Sequence, residues 1–177
     1  MILDGLETTR LRFRKLTLGE VTSWVEFCSD EVAIKYLWFT VDEAKTASEA
    51  WIKKQLLRYE EVDCGLCAVE LKETGEFIGQ CGILLQDVDG NKEWEVGYHF
   101  KPAFWNKGFA TEAARASRDA AFSHGLSDHI ISIVHVDNER SAQVALRNGM
   151  DLWKTTTFST FPVNIFRITR KAWLATN

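Results

Sequence analysis

The chain has 177 residues, of which 46% are hydrophobic and 12% aromatic, with only 2 prolines and 11 glycines. This composition excludes a disordered, collagenous or low-complexity protein, and we expect residues 1–177 to form a single globular domain. The net charge is −4, from 21 basic and 25 acidic residues. That balance argues against nucleic acid as a partner, because binding to a phosphate backbone needs clustered Lys and Arg, and it is compatible with a cationic substrate.

Targeting signals are not visible in the sequence. The N-terminus has neither a basic segment nor an apolar run, and no stretch of about 18 apolar residues occurs. We therefore expect a cytoplasmic protein with no membrane partner. Free, buried thiols fit a reducing compartment, the histidines lack metal-ligand spacing, and the single C-x-x-C pair has no second ligand pair, so no metal is expected. The cysteines are Cys28, Cys64, Cys67 and Cys81.

The first half of the chain combines short strands with two amphipathic helices. Alternating apolar and basic residues predict the first strand, and apolar residues at helical spacing predict both helices. A turn containing Gly75 joins two apolar runs as a hairpin, and Pro102 ends the strand that follows. The predicted strands are residues 11–14, 64–71, 77–85 and 93–100, and the predicted helices are residues 19–29 and 42–60.

The second half alternates helices with strands. Residues 109–124 predict a helix with one face of small side chains, which lets a helix lie close to a sheet. Residues 130–136 form a continuous apolar run, typical of a strand buried on both faces. Asn138 suits the N-cap of the next helix, and Gly149 suits the left-handed residue after its end. Residues 152–158 and 163–168 predict two closing strands. This order predicts an α/β (α+β) domain with a mixed sheet.

The most informative local segment runs from Trp105 to Ala113, between a strand and a helix. Its glycine-bearing loop places unpaired backbone N–H groups at the positive end of a helix, which is a site for a phosphate or pyrophosphate. Gly108 allows the backbone to approach a ligand closely, and Lys107 adds a charge. The loop lacks the spacing of a Walker motif.

This loop is one of several motifs that occur in a fixed order. They are Leu6 to Arg14, Phe77-Ile78-Gly79-Gln80-Cys81-Gly82, Glu95-Val96-Gly97-Tyr98, Pro102, Trp105 to Ala113, Asn138-x-x-Ser141, and Gly149-Met150. In this combination the chain resembles the GNAT N-acetyltransferase superfamily, in its RimJ/RimL-like branch, over roughly residues 6–170. The sequence departs from the family pattern at Asn106, where many relatives have Gly, at Arg147, where Lys is common, and at Met150, where Phe is usual. Asn tolerates positive φ, so we expect the loop to keep its shape.

The resemblance implies the GNAT fold, a mixed twisted sheet flanked by helices, whose splayed central strands hold acetyl-CoA. It also implies direct transfer of the acetyl group to an amine acceptor. The pyrophosphate would bind the loop, the pantetheine arm would bind between the splayed strands, and backbone N–H groups of the fourth strand would stabilise the thioester oxyanion. The cofactor-binding residues so assigned are Tyr98, His99, Phe100, Asn106, Lys107, Gly108, Phe109, Ala110, Thr111, Asn138 and Ser141.

An amine acceptor must lose a proton before it attacks. Glu95, on the strand beside the expected thioester, is the first candidate base, and His99 is the second because it shares the face of Glu95 if no bulge intervenes. Some relatives protonate the thiolate with a Tyr at the position of Ala145, which leaves Ser141 or water as the donor here. Trp38 and Phe39 are expected to form the wall of the substrate entrance.

The sequence leaves the acceptor and the oligomeric state open. The resemblance suggests a protein N-terminal amine. The alternatives are a small amine (polyamine, amino acid or aminoglycoside), which the acidic residues Glu60, Glu61 and Asp63 would suit if they faced the pocket, or a non-catalytic acyl-CoA-binding module. A homodimer is compatible with the sequence and is not required by it.

Overall fold

The computed structural model describes residues 1–176, which contain one seven-stranded sheet with helices on both faces. Short 3₁₀ turns at Val41–Glu43 and Pro102–Phe104 precede the third and fourth helices. The strands are β1 (Leu11–Arg14), β2 (Leu66–Leu71), β3 (Phe77–Val88), β4 (Asn91–Phe100), β5 (His129–His135), β6 (Asp151–Phe158) and β7 (Phe161–Thr169). The helices are α1 (Glu20–Cys28), α2 (Glu31–Ile34), α3 (Ala44–Val62), α4 (Phe109–Ser123), α5 (Glu139–Arg147) and α6 (Arg170–Thr176).

The sheet has the order β1-β2-β3-β4-β5-β7-β6, and all neighbours are antiparallel except β4 and β5. The parallel pair meets in register only at Glu95 and Ile131. One residue further on, the Ser132 hydroxyl donates to the Val96 carbonyl at 2.9 Å in place of a backbone partner. The two strands then diverge, so the mixed, splayed sheet that the resemblance implied is confirmed.

Helix α4 packs closely against one face of the sheet because its inner residues are small. Ala113, Ala114 and Ala121 are fully buried in the larger core. The Ser117 hydroxyl lies 3.4 Å from the Cys81 sulfur on β3. Without large side chains between them, the middle of α4 and strand β3 approach within hydrogen-bond distance.

The opposite face is covered by α1 and α3, whose aromatic residues form a second core. Trp24 stacks on Phe27 with ring centroids 4.3 Å apart, and Trp51 lies 6.0 Å from Trp24. The β3–β4 register is continuous, without a bulge. Since side chains alternate along a strand, Glu95 and His99 therefore share the face that α3 covers.

Three features of the fold differ from the sequence expectation. Helix α2 was not predicted because four residues are too few for a periodic pattern; the Asp30 carboxylate caps it. Helix α6, at the C-terminus, was not predicted either. Strand β3 runs to Val88 because Asp89 and Gly90 both have positive φ (52° and 78°), which is the backbone of a tight hairpin turn. Within residues 1–176, no helix combines the length and apolarity needed to cross a bilayer.

Candidate active site

The loop before α4 has the backbone geometry of an anion site. Asn106 and Gly108 have φ of 59° and 81°, so the asparagine adopts the left-handed conformation expected of it. The first helical hydrogen bond runs from Glu112 N to Gly108 O at 3.0 Å. The N–H groups of Phe109–Thr111 precede that bond and are left for another acceptor, as at any helix N-terminus.

Residues near the N-terminus of the chain brace this loop. The Arg10 guanidinium donates to Glu112 Oε2 at 2.6 Å and to the Lys107 carbonyl at 2.9 Å, and it lies 4.5 Å from the centre of the Phe109 ring. The Thr8 hydroxyl donates to the other Glu112 oxygen at 2.6 Å. Sequence reasoning gave Arg10 and Glu112 no role, although both lie within the motifs that carry the family resemblance.

A cavity of about 310 Å³ opens in front of the loop, between α4, α5 and the end of β4. Arg140 and Arg147 line it, and no Asp or Glu does, so the charged residues of the described lining are all cationic. Lys107 is not among the lining residues; its ammonium lies 5.3 Å from the centre of the Phe104 ring. Every other residue assigned to the cofactor lines this cavity: Tyr98, His99, Phe100, Asn106, Gly108, Phe109, Ala110, Thr111, Asn138 and Ser141.

A second cavity, of about 540 Å³, lies on the α3 side of the splayed strands. It contains Glu95, Gly97 and Ser132. The two cavities meet where β4 and β5 diverge, so ligands bound in them would touch each other. The residues that line both are Ala33, Tyr98, His99, Asn138 and Ser141.

Glu95 is the only carboxylate that lines the second cavity in the described chain. Its side chain is 8% exposed, and it accepts hydrogen bonds from Gln86 Nε2 at 2.7 Å and Ile133 N at 3.4 Å. Burial raises the pKa of Glu95, and the two hydrogen bonds and the attraction of Arg58 oppose that rise in part. A carboxylate with a raised pKa binds a proton more strongly than an exposed one, which suits a general base.

His99 lies on the same face, but its surroundings make it a poor base. Its ring is edge-on to Trp51 and Phe27, with centroids 4.7 and 5.9 Å away. The loss of hydration lowers the pKa of His99 to about 4. The imidazole is therefore neutral at pH 7 and binds a proton only weakly, which favours Glu95 over His99 as the proton acceptor.

The face of β4 opposite to the one with Glu95 and His99 lies against the start of α5. Asn138 caps this helix as expected, with its Oδ1 accepting from Ser141 N at 3.2 Å. The Tyr98 hydroxyl donates to the Ser141 carbonyl at 2.9 Å and ties β4 to the helix. No hydrogen bond of the Ser141 hydroxyl is found within residues 1–176. That hydroxyl is available at the junction of the two cavities.

The predicted substrate residues are split by the structure. Trp38 lines the second cavity, stacked on Trp51 with centroids 5.4 Å apart. Phe39 lines neither cavity and packs edge-on against Trp51 in the second core. The acidic residues Glu60, Glu61 and Asp63 also lie outside both cavities. Their carboxylates are exposed, and that of Asp63 binds the N-terminal amine at 2.9 Å.

The cysteines take no part in this site. All four are free and buried, and none lines either cavity in the described chain. Burial raises the pKa of Cys28 and Cys81 to about 12 and raises that of Cys64 and Cys67 as well. Over residues 1–176, no group of three or more His, Cys, Asp or Glu side chains is arranged to hold a metal ion.

A sheet with one splayed parallel pair, and an anion site where the cavity meets a helix N-terminus, defines an acetyltransferase of the GNAT type. The model of the acetyltransferase (GNAT) domain family matches residues 10–151. The chain is 31% identical to YkkB from Bacillus subtilis over 151 residues, which cover 85% of this chain and 87% of that protein. The chain therefore belongs to the GNAT family and is an acetyl-CoA-dependent acetyltransferase.

Solved structures agree with this assignment. An acetyltransferase from Agrobacterium tumefaciens superposes with a TM-score of 0.76 at 26% identity, covering 92% of both chains. The ribosomal-protein α-N-acetyltransferase RimL, solved in complex with coenzyme A, superposes with a TM-score of 0.72 over 95% of this chain and 98% of its own. At 15% identity, RimL shares the fold, which is what the resemblance to its branch implied.

Proposed function

We propose that this enzyme moves the acetyl group of acetyl-CoA directly to a primary amine that binds beside Glu95. The observation that carries the proposal is the meeting of two cavities at the diverging strands, one lined by cations and helix N–H groups and the other holding a buried carboxylate. The first suits the phosphates of coenzyme A, with Arg140, Arg147 and the loop before α4 as ligands. The second suits an amine that must be deprotonated.

The reaction then needs two proton transfers and no covalent enzyme intermediate. Glu95 accepts a proton from the ammonium form of the acceptor, the freed amine nitrogen bonds to the acetyl carbon, and the carbon–sulfur bond breaks. Backbone N–H groups of β4 that follow Glu95, the last residue paired with β5, stabilise the oxyanion. The nitrogen loses its second proton as the amide forms, and the Ser141 hydroxyl, or water, relays a proton from it to the departing thiolate. Direct transfer is favoured because no cysteine lines either cavity in the described chain.

The proposed acceptor is a protein N-terminal amine, as in RimL. A free N-terminal amine has a pKa near 8, so a larger share of it is already deprotonated at neutral pH than of an alkylamine. A small amine is the second candidate, because a cavity of about 540 Å³ is large enough to hold one whole.

We assign the enzyme to the cytoplasm, since its thiols are free. We also assign it a single domain, since its one sheet takes strands from both ends of the chain.

A thiol-release assay tests the proposal. The purified chain is incubated with acetyl-CoA and, in turn, free N-terminal peptides, the same peptides with blocked N-termini, and small amines. We expect free coenzyme A to form only with a free amine, together with an acetylated product detectable by mass. Coenzyme A binding by calorimetry without thiol release from any acceptor would instead support a non-catalytic binding module.

A further inference from the structure

The second cavity, which we call the acceptor cavity because the proposed amine binds there, contains two cationic side chains that the transfer reaction does not use. Lys54 and Arg58 lie one turn apart on α3 and, with Trp51 and Gln55, form one face of that helix at i, i+3, i+4 and i+7. All four residues line the cavity that holds Glu95. Arg58 is half-buried and Lys54 is exposed, so the cationic face extends from solvent into the cavity.

Neither cation forms an ion pair within 4 Å in the part of the chain that the structure describes. The one hydrogen bond of Arg58 is a long one, 3.4 Å to Gln55 Oε1, and that oxygen already accepts from Leu66 N at 3.0 Å. The Lys54 ammonium lies 5.5 Å from the centre of the Trp38 ring. A guanidinium has five N–H donors, so most donors of Arg58 are left for a ligand.

The electrostatics of the cavity favour an anionic ligand group. Burial lowers the pKa of both Arg58 and Lys54. Repulsion by Arg58 lowers the pKa of Lys54 further, whereas attraction by Glu95 and the exposed Glu61 opposes the lowering for Arg58. Glu95, the lone carboxylate of the described lining, attracts Arg58 but is held by Gln86 and the backbone of β5. An anion bound between the two cations would offset their repulsion and the cost of burying them.

We propose that the natural acceptor is a primary amine that also carries a carboxylate, with the amine at Glu95 and the carboxylate at Arg58 and Lys54. This inference rests on the proposed function and specifies its substrate class. The carboxylate can be that of a free amino acid or of an acidic residue at the start of a peptide. Polyamines and aminoglycosides are disfavoured, because their additional ammonium groups would lie beside Arg58 and Lys54.

Pairs of acceptors that differ only in charge test the proposal. The peptide pair begins with aspartate or asparagine and has an amidated C-terminus, the amino-acid pair is glutamine and its α-amide, which lacks the α-carboxylate, and spermidine is the polycation. We expect kcat/KM to be about tenfold or more higher for the acid of the preferred pair, the usual worth of a hydrogen-bonded charge. The pair that shows the difference identifies the source of the carboxylate. Equal use of acid and amide in both pairs, or a preference for spermidine, would overturn the inference.

Variants of α3 locate the effect. Arg58→Gln should remove the preference mainly through KM for the acidic acceptor, and Arg58→Lys should restore part of it. Lys53→Gln is the matched control, because Lys53 neighbours Lys54 but lines neither cavity and is paired with Glu49 at 2.6 Å. An acid preference that survives Arg58→Gln unchanged would show that the carboxylate binds elsewhere.

A binding measurement separates this inference from the transfer activity. Calorimetry with coenzyme A present compares an N-acetyl-aspartyl peptide with its N-acetyl-asparaginyl counterpart, both with amidated C-termini, and N-acetylglutamine with its α-amide. If no amine releases thiol, the proposed function fails. The assignment of a carboxylate site to Arg58 and Lys54 then stands if the acidic compound binds more tightly and Arg58→Gln abolishes the difference. It fails if acid and amide bind alike.

Discussion

Replacement of Glu95 by Gln is the sharpest test of the proposed chemistry. The two side chains have the same size, and Gln can still accept from Ile133 N, the bond of 3.4 Å that Glu95 makes. The amide of Gln86 can rotate to offer its oxygen to the new NH₂ group. Glu95→Gln therefore removes basicity and charge while leaving the packing of β4 in place.

The size of the effect follows from proton availability. At pH 7 about one-tenth of an N-terminal amine with a pKa near 8 is deprotonated, against about one part in a thousand of an alkylamine with a pKa near 10. A positioned general base is worth about a hundredfold or more. We expect kcat/KM for the acceptor at pH 7 to fall by about a hundredfold or more in Glu95→Gln. The affinity for acetyl-CoA should not change, because Glu95 does not line the cofactor cavity, the one of about 310 Å³ in front of the loop before α4.

The assay is thiol release at saturating acetyl-CoA from about pH 6 to about pH 9. In the wild type, the acid limb should follow the ionisation of Glu95, whereas in Glu95→Gln the rate should keep rising towards the pKa of the amine. Glu93→Gln is the matched control: Glu93 is 7% exposed against 8% for Glu95, but it binds His129 and lines neither cavity. If Glu95→Gln keeps the wild-type profile, or if Glu93→Gln shifts it equally, Glu95 is not the base.

Stability gives an independent readout of the same variant. Burial raises the pKa of Glu95 in the folded state above its unfolded value, so the folded state binds a proton that the unfolded state has lost. The stability supplied by that proton is complete below the unfolded pKa and disappears as pH rises through the folded pKa. Gln does not titrate, so the Tm of Glu95→Gln relative to the wild type should rise as pH increases from the unfolded pKa through the raised folded pKa of Glu95.

Three further predictions concern the remaining site residues. Gly108→Val and Gly125→Val should lose similar stability, about 1–2 kcal/mol, since both glycines have positive φ (81° and 71°), but only Gly108→Val should abolish acetyl-CoA binding by calorimetry. His99→Gln should keep the pH profile of the rate, because an imidazole with a pKa of about 4 does not titrate in the assay range. Ser141→Ala should lower kcat about tenfold with unchanged acetyl-CoA affinity, less than a general acid usually contributes because a thiolate leaves readily. An unchanged kcat would assign that proton to water.

The elements that sequence predicted well have strong local signals. Helix α5 begins at the cap Asn138 and is closed by Gly149, whose φ is 75°. Helix α4 was found through its loop and its face of small residues. In both cases the deciding interactions lie within a few positions of each other, so they can be recognised without knowing the fold.

Features that depend on distant contacts were not predicted. The brace from Arg10 to Glu112 joins residues 102 positions apart. The splay of β4 from β5 depends on how two strands separated by α4 pair at a single position. The cationic face of α3 was within reach of sequence reasoning, since Lys54 and Arg58 follow Trp51 at helical spacing. The apolar spacing that predicts this helix includes Trp51 but carries no information about the polar residues on the same face.

The charge of the whole chain also proved a poor guide to the site. A net charge of −4 is compatible with a cationic substrate. Yet the described lining of the cofactor cavity carries two arginines and no acid, and that of the acceptor cavity carries Lys54 and Arg58 against Glu95 alone. Field strength at a ligand depends on nearby, poorly screened charges, whereas exposed carboxylates farther away than a Debye length of about 8 Å contribute little. The acidic surface and the cationic cavities are therefore compatible, and the cavities determine which substrates bind.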